Sequence, residues 1–265
     1  GRLTHRFVGP DFDFDVEGIG QWNFGNEQTP THEKTIVGAG GGIGRATTAL
    51  LAAQGYGPII CLDLAGSDVD TVAAEYGATP LHIDLRDPAS VPAVFAKARE
   101  VTPNIDAVVL VSGIVENKHL DTMTLDLWQD ILSINLTGMF ACTQAADTWI
   151  NDGGRVVLLG SMAGHAASRV TGPAYSASKG GIEAFTKYLG RYFAPRGITA
   201  NCIAPGPIDT PMLDAHPPER MKDVINAVPM GRLGRPEEVA ALIGHLISPE
   251  AGYTSGAVIN ISGGL

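Results

Sequence analysis

The sequence predicts an α/β protein with a doubly wound parallel sheet of about seven strands and helices on both faces. Short, nearly continuous apolar runs recur along the chain, as is typical of strands buried on both faces of a parallel sheet. Longer amphipathic stretches lie between these runs, and a regular alternation of strand and helix indicates this architecture. After Lys34 the sequence shows neither an internal repeat nor a linker-like stretch, so residues 34–265 are expected to form one domain.

The elements follow in order from Lys34. The apolar runs predicted to be strands are Thr35–Val37, Pro58–Leu62, Thr79–Ile83, Ile105–Val111, Arg155–Leu159, Ile198–Ile203 and Ala257–Ile261. The segments predicted to be helical lie near 43–54, 67–76, 88–100, 124–149, 174–194 and 236–247. The last helix has Pro236 at a favoured first position, with Glu237 and Glu238 in its first turn.

Residues 1–33 differ from the rest of the chain. They combine acidic and aromatic side chains with many chain breakers, and they show no sustained helical period. Two interpretations remain open: a poorly ordered arm, or an arm whose aromatic side chains pack on a neighbouring subunit.

Composition excludes several classes of function. The net charge of -10 and the lack of a dense Lys/Arg run argue against nucleic acid or an anionic membrane as a partner. No apolar stretch reaches the ~18 residues of a membrane span, and no signal-peptide pattern is seen, so a soluble cytoplasmic protein is expected. The 3 cysteines and 7 histidines are scattered, which predicts no disulfide framework and no metal site.

A glycine-rich turn follows the first predicted strand. It reads Gly38-Ala39-Gly40-Gly41-Gly42-Ile43-Gly44 and leads into a helix. Such a turn lets the backbone approach a pyrophosphate, which the N–H groups of the first helical turn then face. Gly38, Gly42 and Gly44 fit the spacing GxxxGxG rather than GxGxxG.

Two carboxylates extend this prediction. Asp63 ends the second apolar run, where it can accept hydrogen bonds from the adenosine ribose hydroxyls and would repel a 2′-phosphate, so NAD is expected rather than NADP. Asp84 ends the third run and either contacts the adenine or caps the helix that follows.

Tyr175 and Lys179 stand at i and i+4 in a predicted helix and therefore share one face. A nearby cation favours a phenolate, which would suit Tyr175 to proton transfer. Ser161 follows a predicted strand, at the sheet edge where ligands bind in open α/β sheets, so its hydroxyl can reach a substrate oxygen.

With these residues in order, the chain resembles the short-chain dehydrogenase/reductase family in its compact, single-domain form, from about Lys34 to Leu265. The resemblance implies a Rossmann-like fold. The matching residues are Gly38, Gly42, Gly44, Asp63, Asp84, Asn135, Ser161, Tyr175, Lys179 and the loop 201–212.

The resemblance implies a role for each site residue. Tyr175 would be the general acid/base, Ser161 would orient and polarise the substrate oxygen, and Lys179 would hold the nicotinamide ribose and lower the pKa of Tyr175. Asn135 would anchor a water that links Lys179 to solvent. Ile208 and Thr210 would hold the nicotinamide carboxamide. The further cofactor contacts expected are Ile43, Leu85, Ser112, Gly113, Pro205, Gly206 and Tyr175 itself.

The substrate is expected to contact Ser161, Ala163, His165 and Tyr175. The loops around them are small and apolar, which favours a neutral, moderately hydrophobic secondary alcohol or ketone. His165 and His216 either bind a second polar group or are exposed loop residues. The segment 212–230 is interpreted as a mobile lid.

The expected function is thus an NAD-dependent oxidoreductase that interconverts a secondary alcohol and a ketone, in effect an alcohol dehydrogenase or ketoreductase. The alternative is a catalytically silent NAD(H)-binding regulator on the same fold. Reduction of a C=C bond is disfavoured, because relatives that reduce enoyl thioesters place Tyr and Lys further apart. The resemblance also implies a homotetramer built through the helices near 124–149 and 174–194.

Overall fold

The computed structural model describes residues 33–166, 171–213 and 218–265, together with the backbone of two short strands nearer the N-terminus. The chain divides into two compact units, Gly1–Pro30 and Thr31–Leu265. Within the first unit, Val8–Gly9 pairs antiparallel with Phe12–Asp13. The other residues of the segment 1–33, except Glu33, lie outside the described part, and so do the two interpretations of this segment as an arm. The prediction for His216 also falls outside it.

A seven-stranded sheet lies at the centre of the second unit, and every neighbouring pair of its strands is parallel. This confirms the predicted fold class. The strands are β1 Lys34–Val37, β2 Ile59–Asp63, β3 Thr79–His82, β4 Ile105–Leu110, β5 Ile150–Leu159, β6 Thr199–Pro205 and β7 Val258–Ile261.

Helices cover both faces of this sheet. They are α1 Gly42–Ala53, α2 Val69–Tyr76, α3 Val91–Val101, α4 Leu125–Leu132, α5 Gly138–Asp147, α6 Pro173–Phe193, α7 Pro218–Ala227 and α8 Pro236–Leu246. One core layer joins the sheet to α3, α5 and α6, and the other joins it to α1, α2 and α8. None of the described helices has both the length and the hydropathy that crossing a bilayer requires.

The strand order is β3-β2-β1-β4-β5-β6-β7. It reverses beside β1, because β2 pairs with one edge of β1 and β4 with the other. Loops that leave neighbouring strands in opposite directions open a crevice at the carboxyl ends of the strands. The glycine-rich turn after β1 and the loop after β4 border this crevice.

The helix predicted near 124–149 is interrupted. α4 ends at Leu132, a π-helical turn spans Ser133–Thr137, and α5 begins at Gly138. A helical period in the sequence does not reveal such an insertion, which is frequent at functional sites. The turn contains Asn135.

The segment interpreted as a lid contains a helix that the sequence did not predict. α7 occupies Pro218–Ala227, and the side chains of Val224 in this helix and of Val228 just after it are buried. Residues 214–217 lie outside the described part, and the mobility of the segment stays a prediction.

Thr35 provides a test of the packing of β1. Its side chain is fully buried, and among the described residues its Oγ1 has no hydrogen-bond partner. A buried polar group without a partner carries a desolvation penalty, so Thr35→Val is expected to raise the free energy of unfolding by about 1 kcal/mol, measured by urea denaturation. Thr102→Val is the matched control. The Thr102 hydroxyl donates to Asn104 O at 2.9 Å, so loss of this hydrogen bond should lower the free energy of unfolding. Equal losses in both variants would contradict the prediction.

Candidate active site

A cavity of about 1350 Å³ occupies the crevice at the carboxyl ends of the strands. It brings together almost all of the site residues predicted from the sequence. Those that line it are Gly38, Gly42, Ile43, Gly44, Asp63, Asp84, Leu85, Ser112, Gly113, Ser161, Ala163, Tyr175, Lys179, Pro205, Gly206, Ile208 and Thr210. Asn135 and His165 are absent from the described lining.

The glycine-rich turn forms one wall of the cavity. Gly38 has φ +95°, and a side chain on it would collide with the backbone of Ser112. A side chain on Gly44 would collide with the carbonyl oxygen of Gly38. Helix α1 begins beside Gly41, which has no side chain to cap the free N–H groups of the first turn. This cradle therefore suits a pyrophosphate group, which would accept hydrogen bonds from those N–H groups.

Asp63 is fixed against this turn. Its Oδ2 accepts a hydrogen bond from Gly40 N at 2.9 Å, and its Oδ1 accepts one from Leu64 N at 2.7 Å. Two carboxylate oxygens can accept about four hydrogen bonds, so capacity remains for a ligand hydroxyl. Asp63 thus lies where an adenosine ribose would follow the pyrophosphate.

The arginines that follow the glycine turn and β3 are each paired with a carboxylate. Arg86 donates to Asp130 Oδ1 at 2.9 Å, and Arg45 forms an ion pair with Glu75. Asp84 lines the cavity, and its carboxylate also accepts a hydrogen bond from Arg86 N at 2.9 Å. This bond stabilises the turn that follows β3. The only cationic side chains in the described lining are Arg86 and Lys179.

Ser161 and Tyr175 meet at the other end of the cavity. Ser161 follows β5 and accepts a hydrogen bond from Ala163 N at 3.2 Å, which leaves its hydroxyl proton free to be donated. Its hydroxyl lies within hydrogen-bonding reach of the phenol of Tyr175, which lies in the first turn of α6. A hydroxyl and a phenol side by side can together bind the oxygen of an alcohol or a ketone.

Lys179 lies one turn further along α6 and is buried. Its Nζ donates to Leu159 O at 2.7 Å and stands 5.7 Å from the centre of the Tyr175 ring. A side chain at Gly113 would come within 3.4 Å of this Nζ, so the glycine after β4 leaves room for the lysine.

Burial acts on the ionisation of both Tyr175 and Lys179. It raises the pKa of Tyr175, the Ser161 hydroxyl opposes that rise, and the charge of Glu116 adds to it. Burial also lowers the pKa of Lys179 to about 8, so its ammonium group remains mostly charged at pH 7. Both shifts have one physical cause, since desolvation disfavours the charged form of each group. The lowering of the Tyr175 pKa by Lys179 stays a prediction.

Asn135 acts on the walls of the site rather than in the cavity. Its Oδ1 accepts from Ile114 N at 2.9 Å, and its Nδ2 donates to Ile114 O at 2.8 Å and to Ser178 Oγ at 3.2 Å. The fully buried amide thus ties the chain after β4 to α6. Its expected part in a water relay stays a prediction.

His165 is paired with a carboxylate of α6. Its Nδ1 is 2.6 Å from Oε1 of Glu183, which is buried. Its contact with a substrate stays a prediction. The described residues that line the cavity beyond those predicted as contacts include Val115, Met162, Ala166, Met212, Leu213 and Val224, and these are apolar.

Glu116 is a residue at the site for which the sequence predicted no role. It lies after β4 and is buried, and its carboxylate accepts hydrogen bonds from the backbone at the start of α6. One signal was present in the sequence. The helix begins at Gly172-Pro173, without the Ser, Thr, Asp or Asn that usually caps a helix, which leaves its first N–H groups open to a cap from another part of the chain.

Comparison with known proteins places this site in a family. Residues 38–265 match the family model described as enoyl-(acyl carrier protein) reductase. The 3-oxoacyl-[acyl-carrier-protein] reductase of Thermotoga maritima is 34% identical over 238 residues, covering 87% of this chain and 96% of the relative. The 2-dehydro-3-deoxy-L-rhamnonate dehydrogenase (NAD(+)) of Sphingomonas sp. is 32% identical, covering 86% of this chain and 93% of the relative.

Solved structures agree with the sequence comparison. A short-chain dehydrogenase/reductase from Serratia marcescens superimposes with a TM-score of 0.83 at 29% identity, covering 88% of this chain and 97% of that one. BdcA in complex with NADPH gives a TM-score of 0.80 at 30% identity, with coverages of 88% and 93%. The glycine cradle, the Ser161–Tyr175–Lys179 group and these relatives together establish that the chain belongs to the short-chain dehydrogenase/reductase family of oxidoreductases.

Proposed function

We propose that the protein is an NAD-dependent oxidoreductase that interconverts a secondary alcohol and a ketone, with Tyr175 as its general acid/base. The observation that carries this proposal is the convergence of Ser161, Tyr175 and Lys179 at one end of a cavity whose other end is the glycine cradle. A side chain that exchanges a proton beside a dinucleotide cradle is the arrangement that alcohol oxidation needs.

Each side chain has a separate task in this proposal. When bound, the nicotinamide cofactor supplies the acceptor or donor of hydride. Ser161 donates a hydrogen bond to the substrate oxygen and holds it beside the phenol. Tyr175 takes the hydroxyl proton when an alcohol is oxidised and returns it when a ketone is reduced. Lys179 binds the cofactor ribose from its buried position and donates to Leu159 O.

Asp63 supports the choice of NAD. A 2′-phosphate placed on the ribose would meet the Asp63 carboxylate, while Arg86 and Arg45 are held by Asp130 and Glu75. The dehydrogenase of Sphingomonas sp. carries NAD(+) in its name, whereas BdcA was crystallised with NADPH. Relatives of both kinds therefore exist, and the choice rests on Asp63 in this chain.

The apolar lining supports a neutral, moderately hydrophobic substrate. Met162, Met212 and Leu213 are among the residues that line the cavity. The named relatives reduce 3-oxoacyl groups or oxidise a sugar acid, and both reactions involve a carbon–oxygen bond. The spacing of Tyr175 and Lys179 also favours carbonyl over C=C reduction. A 3-oxoacyl thioester is therefore one ketone class to test.

The absorbance of reduced nicotinamide tests this function directly. Secondary alcohols, ketones and 3-oxoacyl thioesters are screened with NAD(H) and NADP(H) in parallel. Turnover of an alcohol or ketone with NAD(H) supports the proposal. Tight NADH binding without turnover across the panel would indicate a silent regulator instead, and turnover confined to enoyl thioesters would indicate C=C reduction.

Exposed aromatic rings support a homo-oligomer. Phe185 and Tyr188 stack at 6.5 Å between ring centres, Tyr188 and Tyr192 stack at 5.9 Å, and Phe140 on α5 contacts Phe185 at 6.0 Å. Tyr188 is 59% exposed in the single chain, and such an apolar row on a surface is typical of an interface. We propose that this face of α5 and α6 joins subunits of a homotetramer.

A charge on this face is expected to disrupt the assembly. Tyr188→Glu would bury an unpaired carboxylate in the interface, so the variant should sediment as a smaller species than the wild type in analytical ultracentrifugation. Tyr188→Phe keeps the ring and should keep the assembly. A wild-type monomer, or a Tyr188→Glu variant of unchanged size, would contradict the proposed interface.

A further inference from the structure

Helix α6 carries both Tyr175 and Lys179, and its first turn is capped by a residue from a different part of the chain. The cap position is Gly172, which has no side chain to accept a hydrogen bond. Instead, Oε2 of Glu116 accepts from Gly172 N at 2.9 Å. Oε1 of Glu116 accepts from Ala174 N at 3.0 Å and from Tyr175 N at 3.2 Å.

The space around this cap is closely fitted. A Cβ atom on Gly172 would lie 2.5 Å from Oε1 of Glu116 and 2.5 Å from the carbonyl oxygen of Lys118. The backbone oxygen of Glu116 also accepts from Gly172 N, at 2.9 Å. The carboxylate therefore fills the place that a capping side chain on α6 would occupy, and it is only 8% exposed. A negative charge in that position also interacts favourably with the helix dipole.

The other groups near the Tyr175 phenol come from three elements. The Ser161 hydroxyl after β5 lies within hydrogen-bonding reach of it, and Lys179 lies one turn along the same helix. Behind Lys179 lie the Cys202 thiol on β6 and the Glu183 carboxylate on α6, which is paired with His165. The negative charge that raises the pKa of Tyr175 comes from Glu116, not from this group of residues.

We propose that Glu116 is a positioning residue for Tyr175: its carboxylate caps α6 in place of a side chain at Gly172, holds the phenol beside Ser161, and places a negative charge at the backbone of Tyr175. The inference rests on the proposed function in that Tyr175 is the acid–base group. Glu116 touches the backbone of Tyr175 rather than the substrate. It therefore affects both where the phenol stands and the pH at which the phenol loses its proton.

Two substitutions separate these effects. Glu116→Gln removes the charge but keeps an amide oxygen that can accept from Ala174 N and Tyr175 N, while the backbone oxygen still accepts from Gly172 N. Glu116→Ala removes both the charge and the cap. A negative charge disfavours the phenolate, so its removal should shift ionisation of Tyr175 to lower pH.

Ionisation of Tyr175 is followed by the ultraviolet absorbance of tyrosinate, as the difference between each protein and its Tyr175→Phe counterpart. This readout does not require turnover. The Glu116→Gln protein should titrate roughly 0.5 to 1 pH unit below the wild type, and the acidic limb of kcat/KM for alcohol oxidation should move by the same amount. Glu183→Gln neutralises a different buried carboxylate on α6 and should leave the titration of Tyr175 in place.

The capping role is tested by kcat. Glu116→Ala should lower kcat by about 10- to 100-fold with little change in the KM of the cofactor, because the phenol is displaced. Glu116→Gln should retain most of the wild-type kcat. Thr124→Ala removes the side-chain cap of α4 and should reduce stability without reducing kcat.

Three outcomes would overturn the inference: a Glu116→Gln protein that titrates at the wild-type pH, a Glu116→Ala protein with wild-type kcat, or a Glu116→Gln kcat no better than that of Glu116→Ala. If Glu116→Ala does not fold, the titration of Glu116→Gln alone decides. A wild-type protein without turnover would count against the proposed function, while the titration would still test Glu116.

Discussion

Tyr175→Phe is expected to lower kcat by about 1,000-fold and to leave cofactor binding nearly unchanged. General acid/base groups contribute roughly 100- to 10,000-fold to a rate, and this substitution removes only the phenol oxygen. The ring would still pack beside Lys179, whose Nζ lies 5.7 Å from its centre. Steady-state rates of alcohol oxidation, together with NADH titration by fluorescence, measure the two effects separately.

The matched control is Tyr188→Phe. It makes the same chemical change on the same helix, at a side chain that is 59% exposed and remote from the cavity lining. It should turn over at the wild-type rate. A Tyr175→Phe variant that retains more than about a tenth of the wild-type kcat would assign the proton transfer to another group.

Asp63→Ala is expected to reduce the preference for NAD over NADP by about 10- to 100-fold, measured as the ratio of the two kcat/KM values. A hydrogen bond to a charged group contributes about 1.5–3 kcal/mol, and each factor of ten corresponds to about 1.4 kcal/mol. Loss of the carboxylate removes the bonds to the ribose hydroxyls and also the repulsion of a 2′-phosphate. The NAD reaction should slow while the NADP reaction improves.

Asp63 also accepts a hydrogen bond from Gly40 N, so its loss loosens the glycine turn. Asp63→Asn controls for this effect, since an amide oxygen can still accept from Gly40 while the charge is gone. It should shift the preference in the same direction by a smaller factor. If Asp63→Ala lowers kcat/KM equally with NAD and with NADP, the carboxylate supports the turn and does not select the cofactor.

Much of the fold is predictable because the signals are local. Apolar runs mark the strands, and Gly38, Gly44 and Asp63 mark the turn at which β1 feeds α1. Parallel strands bring all of their carboxyl ends to one edge of the sheet. Residues far apart in the chain can therefore be assigned to one cavity from their positions after the strands.

The parts of the site that could not be predicted depend on contacts between distant residues, which no local pattern encodes. The hydrogen bonds of Glu116 to the start of α6 join residues 56 or more positions apart. The His165–Glu183 pair depends on how the loop after β5 folds onto α6. The pKa values of Tyr175 and Lys179 likewise depend on burial, which no local pattern in the sequence shows.

The cap on α6 also bears on how this enzyme can be redesigned. Loops after the strands are the segments usually exchanged to alter selectivity, because they contact ligands and tolerate change. The loop after β4 is different here, since Glu116 fastens the helix that carries Tyr175. A loop grafted from a relative that lacks an acceptor at this position would misplace the phenol, even if the new loop fits the new substrate. Directed evolution of selectivity should therefore hold Glu116 and Gly172 constant as a pair and diversify Val115 and the apolar residues after Ser161.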